Sequence, residues 1–320
     1  MKKITTAFFV FLFGISTFAQ TSDNTSEVKW YQGDANLLNV FEPYNADYAI
    51  KGKLLGIGLP FLIIRSQVTE SSNNWIETSE IQFPVLRDFS PEKVKQTTEI
   101  DLKTGLLKKI TMEGQIITNN ESAVGRKEIS FTDGRLVSNG YVNQSNGKSK
   151  TKSNSFAVAE KLYPCQSNTF FSYLPLTDNF IGSFTCMAED MSSQMHQPTG
   201  YEGDSSYIDA KGFLKDDFMV TKMTVKAVGS ETITTKAGTF DCYKIQQRLQ
   251  VIGKYDSKGK FKPSNKDTEK PLTAEDEKSK KYYGFTWIDK RTRKLVKSEA
   301  NFKNLAGLSV ELLPQKYNNL

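Results

Sequence analysis

The chain has 320 residues, of which 12% are aromatic and 24% charged, with 42 Lys and Arg against 36 Asp and Glu and one histidine. Its basic and acidic residues are interleaved, which argues against a nucleic-acid surface, where Lys and Arg gather on one face. The single histidine, His196, leaves little material for Ser-His or Cys-His chemistry or for a His-rich zinc site. The apolar content suffices for a sizeable core, and β-rich chains often run to about 200–250 residues as one unit.

The chain opens with Met1-Lys2-Lys3, then the apolar run Ala7–Ile15, then "STFAQ". That run is too short for a bilayer span, which needs about 20 apolar residues. The pattern predicts a signal peptide over residues 1–19, cleaved near Ala19 with Thr17 at the third position back. No Cys follows to take a lipid, and no later apolar run is long enough to span a membrane. The expected product is soluble and exported, to the periplasm or beyond the cell. Loss of Lys2 and Lys3 leaves 40 basic and 36 acidic residues, a net charge of +4 with His196 neutral.

Residues 20–45 are read as an N-terminal segment with a short helix over Asp34–Tyr44, capped by Asp34 and stopped near Pro43. Residues 46–315 are read as one β-rich domain. Short β-branched and apolar segments are punctuated by Gly, Asp or Pro at about every tenth residue, the pattern of an antiparallel all-β body. Asp133-Gly134 is a strong hairpin signal, Lys103-Thr104-Gly105 a second turn, and Ala237-Gly238 a third. A break near Asn154–Pro164 divides the sheet into two halves, and Ala188–Met195 suggests another short helix. Residues 254–281 hold nine Lys, six acids and two Pro with almost no apolar side chains. Such a segment reads as a solvated loop or as a charged arm that docks a partner.

Candidate chemistry is sparse. No P-loop, GxGxxG or CxxC occurs. The paired carboxylates Asp216-Asp217 and Glu275-Asp276-Glu277 have Lys and polar residues as sequence neighbours, so nothing there suggests the raised pKa that a general acid needs. Cys186, Met187, Met191, Met195 and His196 are sulfur and imidazole donors that suit Cu(I), and the three Met would form one stripe on a helix. A packing role for the Met is the commoner use, so no metal and no cofactor is expected. Cys165 and Cys186 flank the turn-rich "SYLPLTDNF"; they either pair across a hairpin or stay, with Cys242, as buried thiols. Two segments are strongly apolar, one with Leu59, Phe61 and Ile63, the other with Phe170, Phe171 and Leu174. They form either sheet core or the lining of an apolar cavity.

"VGSETITTKAGTFDCYKIQQ" (Val228–Gln247), "YGFTWIDKRTRKLVKSEANF" (Tyr283–Phe302) and "FFSYLPLTDNF" (Phe170–Phe180) come together in an order that resembles a family of exported bacterial proteins known as a domain of unknown function. The pattern residues are Gly229, Glu231, Ala237, Gly238, Phe240, Trp287, Asp289, Arg293, Val296 and Lys297. The likeness runs best from Phe170 to Phe302, and the Lys-rich insertion departs from it. The resemblance implies a fold similar to the periplasmic lipoprotein carriers: an unclosed, strongly curved antiparallel β-barrel with one or two short helices on its concave side. It implies structural roles for Gly238, Phe240 and Trp287, a polar hairpin tip over Asp289–Arg293 where Asp and Arg pair, and no catalytic residues. Alternation places Cys242 on one face with Phe240, expected to be buried, so Cys242 too reads as structural. The expectation is a non-enzymatic envelope protein that holds an apolar small molecule, a lipid or a lipidated partner in its curved sheet. The alternative is an interaction module that docks another envelope protein through strand edges and the 254–281 loop.

Overall fold

The computed structural model describes residues 42–54, 57–82, 93–117, 122–158, 161–165, 167–189, 214, 218–256, 258–263, 284–302 and 306–314. The proposed signal peptide and the helix from Asp34 lie outside them, except for that helix's last residues. Tyr44, expected at its end, instead opens the first strand. Pro43 cannot continue a helix, and beyond it the alternation Tyr44, Ala46, Tyr48 puts one row of side chains on the buried face.

The first half of the chain is a meander: β1 (Tyr44–Leu54), β2 (Ile57–Ser71), β3 (Asn74–Gln82), β4 (Lys93–Asp101), β5 (Leu107–Ile117), β6 (Ser122–Thr132), β7 (Arg135–Gln144) and β8 (Ser149–Ala157). A one-turn helix, α1 (Phe170–Tyr173), lies in the connection to the second half. There follow β9 (Ile181–Glu189), β10 (Phe218–Thr235), β11 (Gly238–Tyr255), β12 (Phe261–Pro263), β13 (Gly284–Asp289), β14 (Leu295–Phe302) and β15 (Ala306–Leu313). All pair antiparallel in one sheet of order β8-β7-β6-β5-β4-β3-β2-β1-β15-β14-β13-β11-β10-β9, with β12 hydrogen-bonded to β11 beside that path. β1 and β15 join the two halves from Asp47↔Leu313 to Leu54↔Ala306. The sheet does not close into a barrel, and α1 is almost all the helix among the described residues.

Local chemistry sets the turns. Asp133 (φ 51°) and Gly134 (φ 71°) link Thr132 to Arg135 as a two-residue turn with two positive φ angles. The Asp101 carboxylate accepts from the Lys103 and Thr104 amides and from the Thr104 hydroxyl, folding the Lys-Thr-Gly turn onto itself. In the third turn the loop residues are Lys236 and Ala237, because Gly238 already pairs with Thr235. Strands β10 and β11 run 18 residues each, longer than the Gly and Asp spacing suggested. A bulge between Ala227 and Gly229 lets the strand pass through a glycine at φ 130° instead of ending there.

The break near Asn154–Pro164 separates the halves as expected, and it sits at the open seam of the sheet. β8 and β9 are the two ends of the strand order, and the chain between them turns inward. One core cluster packs β1–β4 residues Tyr48, Val68, Trp75 and Ile100 against the residue 163–180 segment and against β9, β10, β11, β13, β14 and β15. A second joins β5–β8 to β9–β11. Phe156 of β8 lies 5.6 Å from Phe218 of β10 and 5.1 Å from Tyr255 of β11, ring centre to ring centre. The sheet is thus curled enough for its two ends to share a core.

Candidate functional site

The concave face carries the connecting segment as a plug. Phe170, Phe171, Tyr173, Leu174, Leu176 and Phe180 are buried there. Phe170 meets Phe171, Tyr173 and Phe184 edge-to-face, with ring centres 5.0–5.7 Å apart, a geometry that adds to area burial. Of the six cavity candidates, Phe170, Phe171 and Leu174 therefore pack as core; Ile63 on β2 is half-buried. The side chains of Leu59 and Phe61 lie outside the described ones.

Polar anchors fix the plug. Glu77 on β3 is buried, and its carboxylate accepts from the Ser167 hydroxyl, the Asn168 amide at 3.3 Å, the Thr169 amide at 3.2 Å and the Thr169 hydroxyl at 2.9 Å. Asn168 Nδ2 donates to Ser66 Oγ at 3.2 Å, and Tyr173 Oη to the Gly105 carbonyl at 3.0 Å. Burial, and then the nearby Glu77 charge, push the Tyr44 phenol far above its ordinary range. No sequence motif announced Glu77, because its partners arrive some ninety residues later.

Cys165 and Cys186 form a disulfide with Cα atoms 5.7 Å apart, resolving the two alternatives in favour of pairing. Beside it, the Tyr163 amide donates to the Thr185 carbonyl at 2.8 Å. Ala188 and Glu189, expected to open a helix, continue β9 in register with Met219 and Phe218. Cys186 is spent in the disulfide and Met187 is buried among β10 residues, so this part of the Cu(I) donor set serves packing. Met191, Met195 and His196 lie outside the described residues.

The pattern residues of the resemblance converge on the β10–β14 face. Cys242, Ile233, Trp287 and Val296 form a small buried cluster, with Phe240 half-buried against it. Trp287 Nε1 donates to Glu231 at 3.0 Å, and Lys244 pairs with the same carboxylate at 2.9 Å. Lys244 and Lys297 lie 5.5 and 4.9 Å from the Trp287 ring centre. Those bonds to Lys244 and Trp287 hold the Glu231 carboxyl below its usual range. Burial, then Asp289, push the Cys242 thiol up to about 12. Lys244, two residues on, is committed to Glu231. The hairpin tip is polar, but the expected Asp289–Arg293 pair is absent among the described contacts. The Asp289 carboxylate accepts from the Thr292 amide at 2.9 Å and hydroxyl at 2.5 Å, while the Arg293 guanidinium lies over Tyr243 at 5.3 Å. At φ 61° the Arg293 backbone donates to the Asp289 carbonyl, which turns the side chain away from the acid.

The seam end at β8 combines features that lie far apart in sequence. Gln144 donates to the Lys148 carbonyl and Val158 to the Gly134 carbonyl. By alternation, even-numbered residues of β8 bond to β7, and Ser149, Thr151, Ser153, Ser155 and Ala157 turn their backbone groups outward. All five have exposed side chains. One outward donor is capped locally, Ser155 N–H to Asn154 Oδ1 at 3.0 Å. Beside this edge a groove of about 360 Å³ runs over Arg126, Glu128, Asn139, Tyr141, Thr151 and Ser153. Val124 on β6 and Tyr141 on β7 are exposed large apolar residues, and so is Phe261 on β12, whose ring centre lies 5.1 Å from that of Tyr255, itself 5.1 Å from Phe156 of β8.

The Lys-rich segment begins at the same end. Lys254 and Tyr255 belong to β11, and β12 pairs back onto them, so the segment opens as a hairpin and not as loop. Asp256 accepts from the Lys258 and Lys260 amides and pairs with Lys262 at 3.1 Å. Gly259 (φ 72°) rests on Phe156, where a Cβ would stand 2.3 Å from the Phe156 Cβ. This stem is therefore pinned beside β8. Residues 264–281 lie outside the described residues.

Among the described residues no group of His, Cys, Asp and Glu is arranged to hold a metal, and no helix is long and apolar enough to cross a membrane. No protein-family model and no curated protein matches this chain. One solved structure, from Bacteroides fragilis and described as an exported protein with a YmcC-like fold, is 10% identical; the match covers 86% of this chain and 97% of that one, at a TM-score of 0.29.

Proposed function

We propose that the protein is a non-enzymatic, exported interaction module that docks another envelope protein at the β8 end of its sheet. The observation that carries this reading is the meeting, at one end of the molecule, of a strand edge with outward backbone groups, a groove with exposed Tyr141, and the stem of the Lys-rich arm. Exposed edges are templates for pairing with another chain. The leader-like Met1–Ala19 supports export. The lack of any nucleophile and base held together at the polar sites described supports a binding role.

The reading of an apolar ligand in the curved sheet has less support, because Phe170, Phe171 and Leu174 themselves occupy the concave face. Removing residues 264–281 while keeping the β11–β12 stem tests the docking reading. Amine-reactive crosslinking in intact cells should then lose its adduct of defined mass, with the melting temperature of the purified protein unchanged. An undiminished adduct would contradict the role of the arm. An apolar molecule released in stoichiometric amount from purified protein would favour the ligand instead.

A further inference from the structure

We infer that Ser149–Ser153 of β8 receives an extended acidic polypeptide segment, which adds to the sheet as a further antiparallel strand. This rests on the reading of the β8 end as the docking end, and it names the partner's chemistry. Three residues, Ser149, Thr151 and Ser153, offer their N–H and C=O groups outward, and none of these groups has a partner among the described residues. The usable edge ends there, because Asn154 caps the Ser155 N–H.

Charge selects the occupant. From Arg135 to Val158 the sequence holds Arg135, Lys148, Lys150 and Lys152 and no Asp or Glu. The hairpin pinned beside β8 adds Lys258, Lys260 and Lys262, against Asp256, which already pairs with Lys262. A second copy of the chain fits poorly. Self-pairing centred on Thr151 sets Lys150 of each copy opposite Lys152 of the other, and like charges directly opposite destabilise a strand pair. Lysines on an edge deter such self-association and at the same time favour carboxylates. Shape adds a preference. Thr151 stands opposite Tyr141 in the ladder, and an added residue beside Thr151 would lie roughly 10 Å from β7. A long or aromatic side chain there reaches across the small Thr151 to the exposed Tyr141 ring.

The test uses the mature protein and three fluorescein-labelled decapeptides: one alternating Glu with Val and Tyr, its Lys-for-Glu counterpart, and the acidic peptide with two central prolines. Anisotropy at low and physiological salt reads binding, and amide hydrogen exchange reads its place. The acidic peptide should bind at least tenfold more tightly than the other two, more weakly as salt rises, and slow exchange at Ser149, Thr151 and Ser153. Thr151→Pro removes an outward N–H, a position where an edge strand tolerates proline, and should cut binding at least tenfold with β7 exchange unchanged. The double variant Lys148→Glu, Lys150→Glu leaves the backbone intact and should cut it about as much, which keeps the test decisive if the proline variant fails to fold. Equal binding of acidic and basic peptides, protection away from β8, or a concentration-dependent dimer abolished by Thr151→Pro would each overturn the inference. If the peptides fail while crosslinking in cells still depends on residues 264–281, the docking reading survives and only this edge assignment falls.

Discussion

Cys242 shows how a residue's role follows from its surroundings. With its pKa near 12 the thiol stays protonated at any physiological pH, and the thiolate is the nucleophile. Iodoacetamide at pH 8 should leave it unlabelled in the folded protein and label it fully in denaturant; labelling at the rate of a free thiol would contradict the buried assignment. Asp101 gives a pH dependence. Burial raises its pKa, but the bonds from Lys108, Thr104 and Lys103 outweigh that and bring it to about 2, below the ordinary 3.8. Stability from this turn is therefore full above about pH 4 and is lost as pH falls toward 2. Thermal melts of Asp101→Asn should be lower than wild type at pH 7 and converge with it near pH 2. Glu77→Ala strands the donors of Ser167, Asn168 and Thr169, and urea unfolding should show a loss of about 3 kcal/mol. Sequence could reveal Asp101, whose turn partners follow within three residues, and Asp133-Gly134, whose positive φ angles favour those two residue types. It could not reveal Glu77, whose partners lie about ninety residues on. At the hairpin tip Asp289 and Thr292 share the spacing of Asp101 and Thr104, and the charge of Arg293 drew the expectation to the wrong local partner.

At the scale of elements, the alternation of buried and exposed side chains was readable wherever a strand has one wet face, as in β7, where Leu136, Ser138, Gly140 and Val142 point inward. A four-residue spacing of Met suggested a helix from Met187 onward, but Met187 itself lies on a strand that pairs with β10. Tertiary pairing overrides a local period. The apolar candidates from Phe170 onward were legible as greasy; only the inward path between β8 and β9 made them a plug. The plug's covalent tie is Cys165–Cys186, with a separation of 21 residues. A loop of that size contributes about 3 kcal/mol in the chain-entropy model. The double variant Cys165→Ser, Cys186→Ser should lose about that much in urea unfolding and gain protease cleavage between residues 161 and 180. Cleavage first in the β10–β11 hairpin would contradict the assignment of the disulfide as the plug's latch.

For the whole molecule, the sequence indicated an unclosed antiparallel sheet through its resemblance and its strand spacing, and the fold agrees. What it could not convey is the position of the opening. The chain runs outward from β1 to β8, crosses the interior and returns from β9 to β15, so the seam falls in mid-sequence and its two ends share a core. That topology brings the basic edge, Tyr141 and the Lys-rich stem to one place, and it underlies the docking proposal. A photo-crosslinking scan in intact cells tests this most directly, with the reactive residue placed in turn at Thr151, Tyr141, Phe261 and, at the remote β10–β11 turn, Thr239. The account predicts one adduct of constant mass from the first three positions and none from Thr239. Adducts from Thr239 alone, or none from the β8 end, would contradict it.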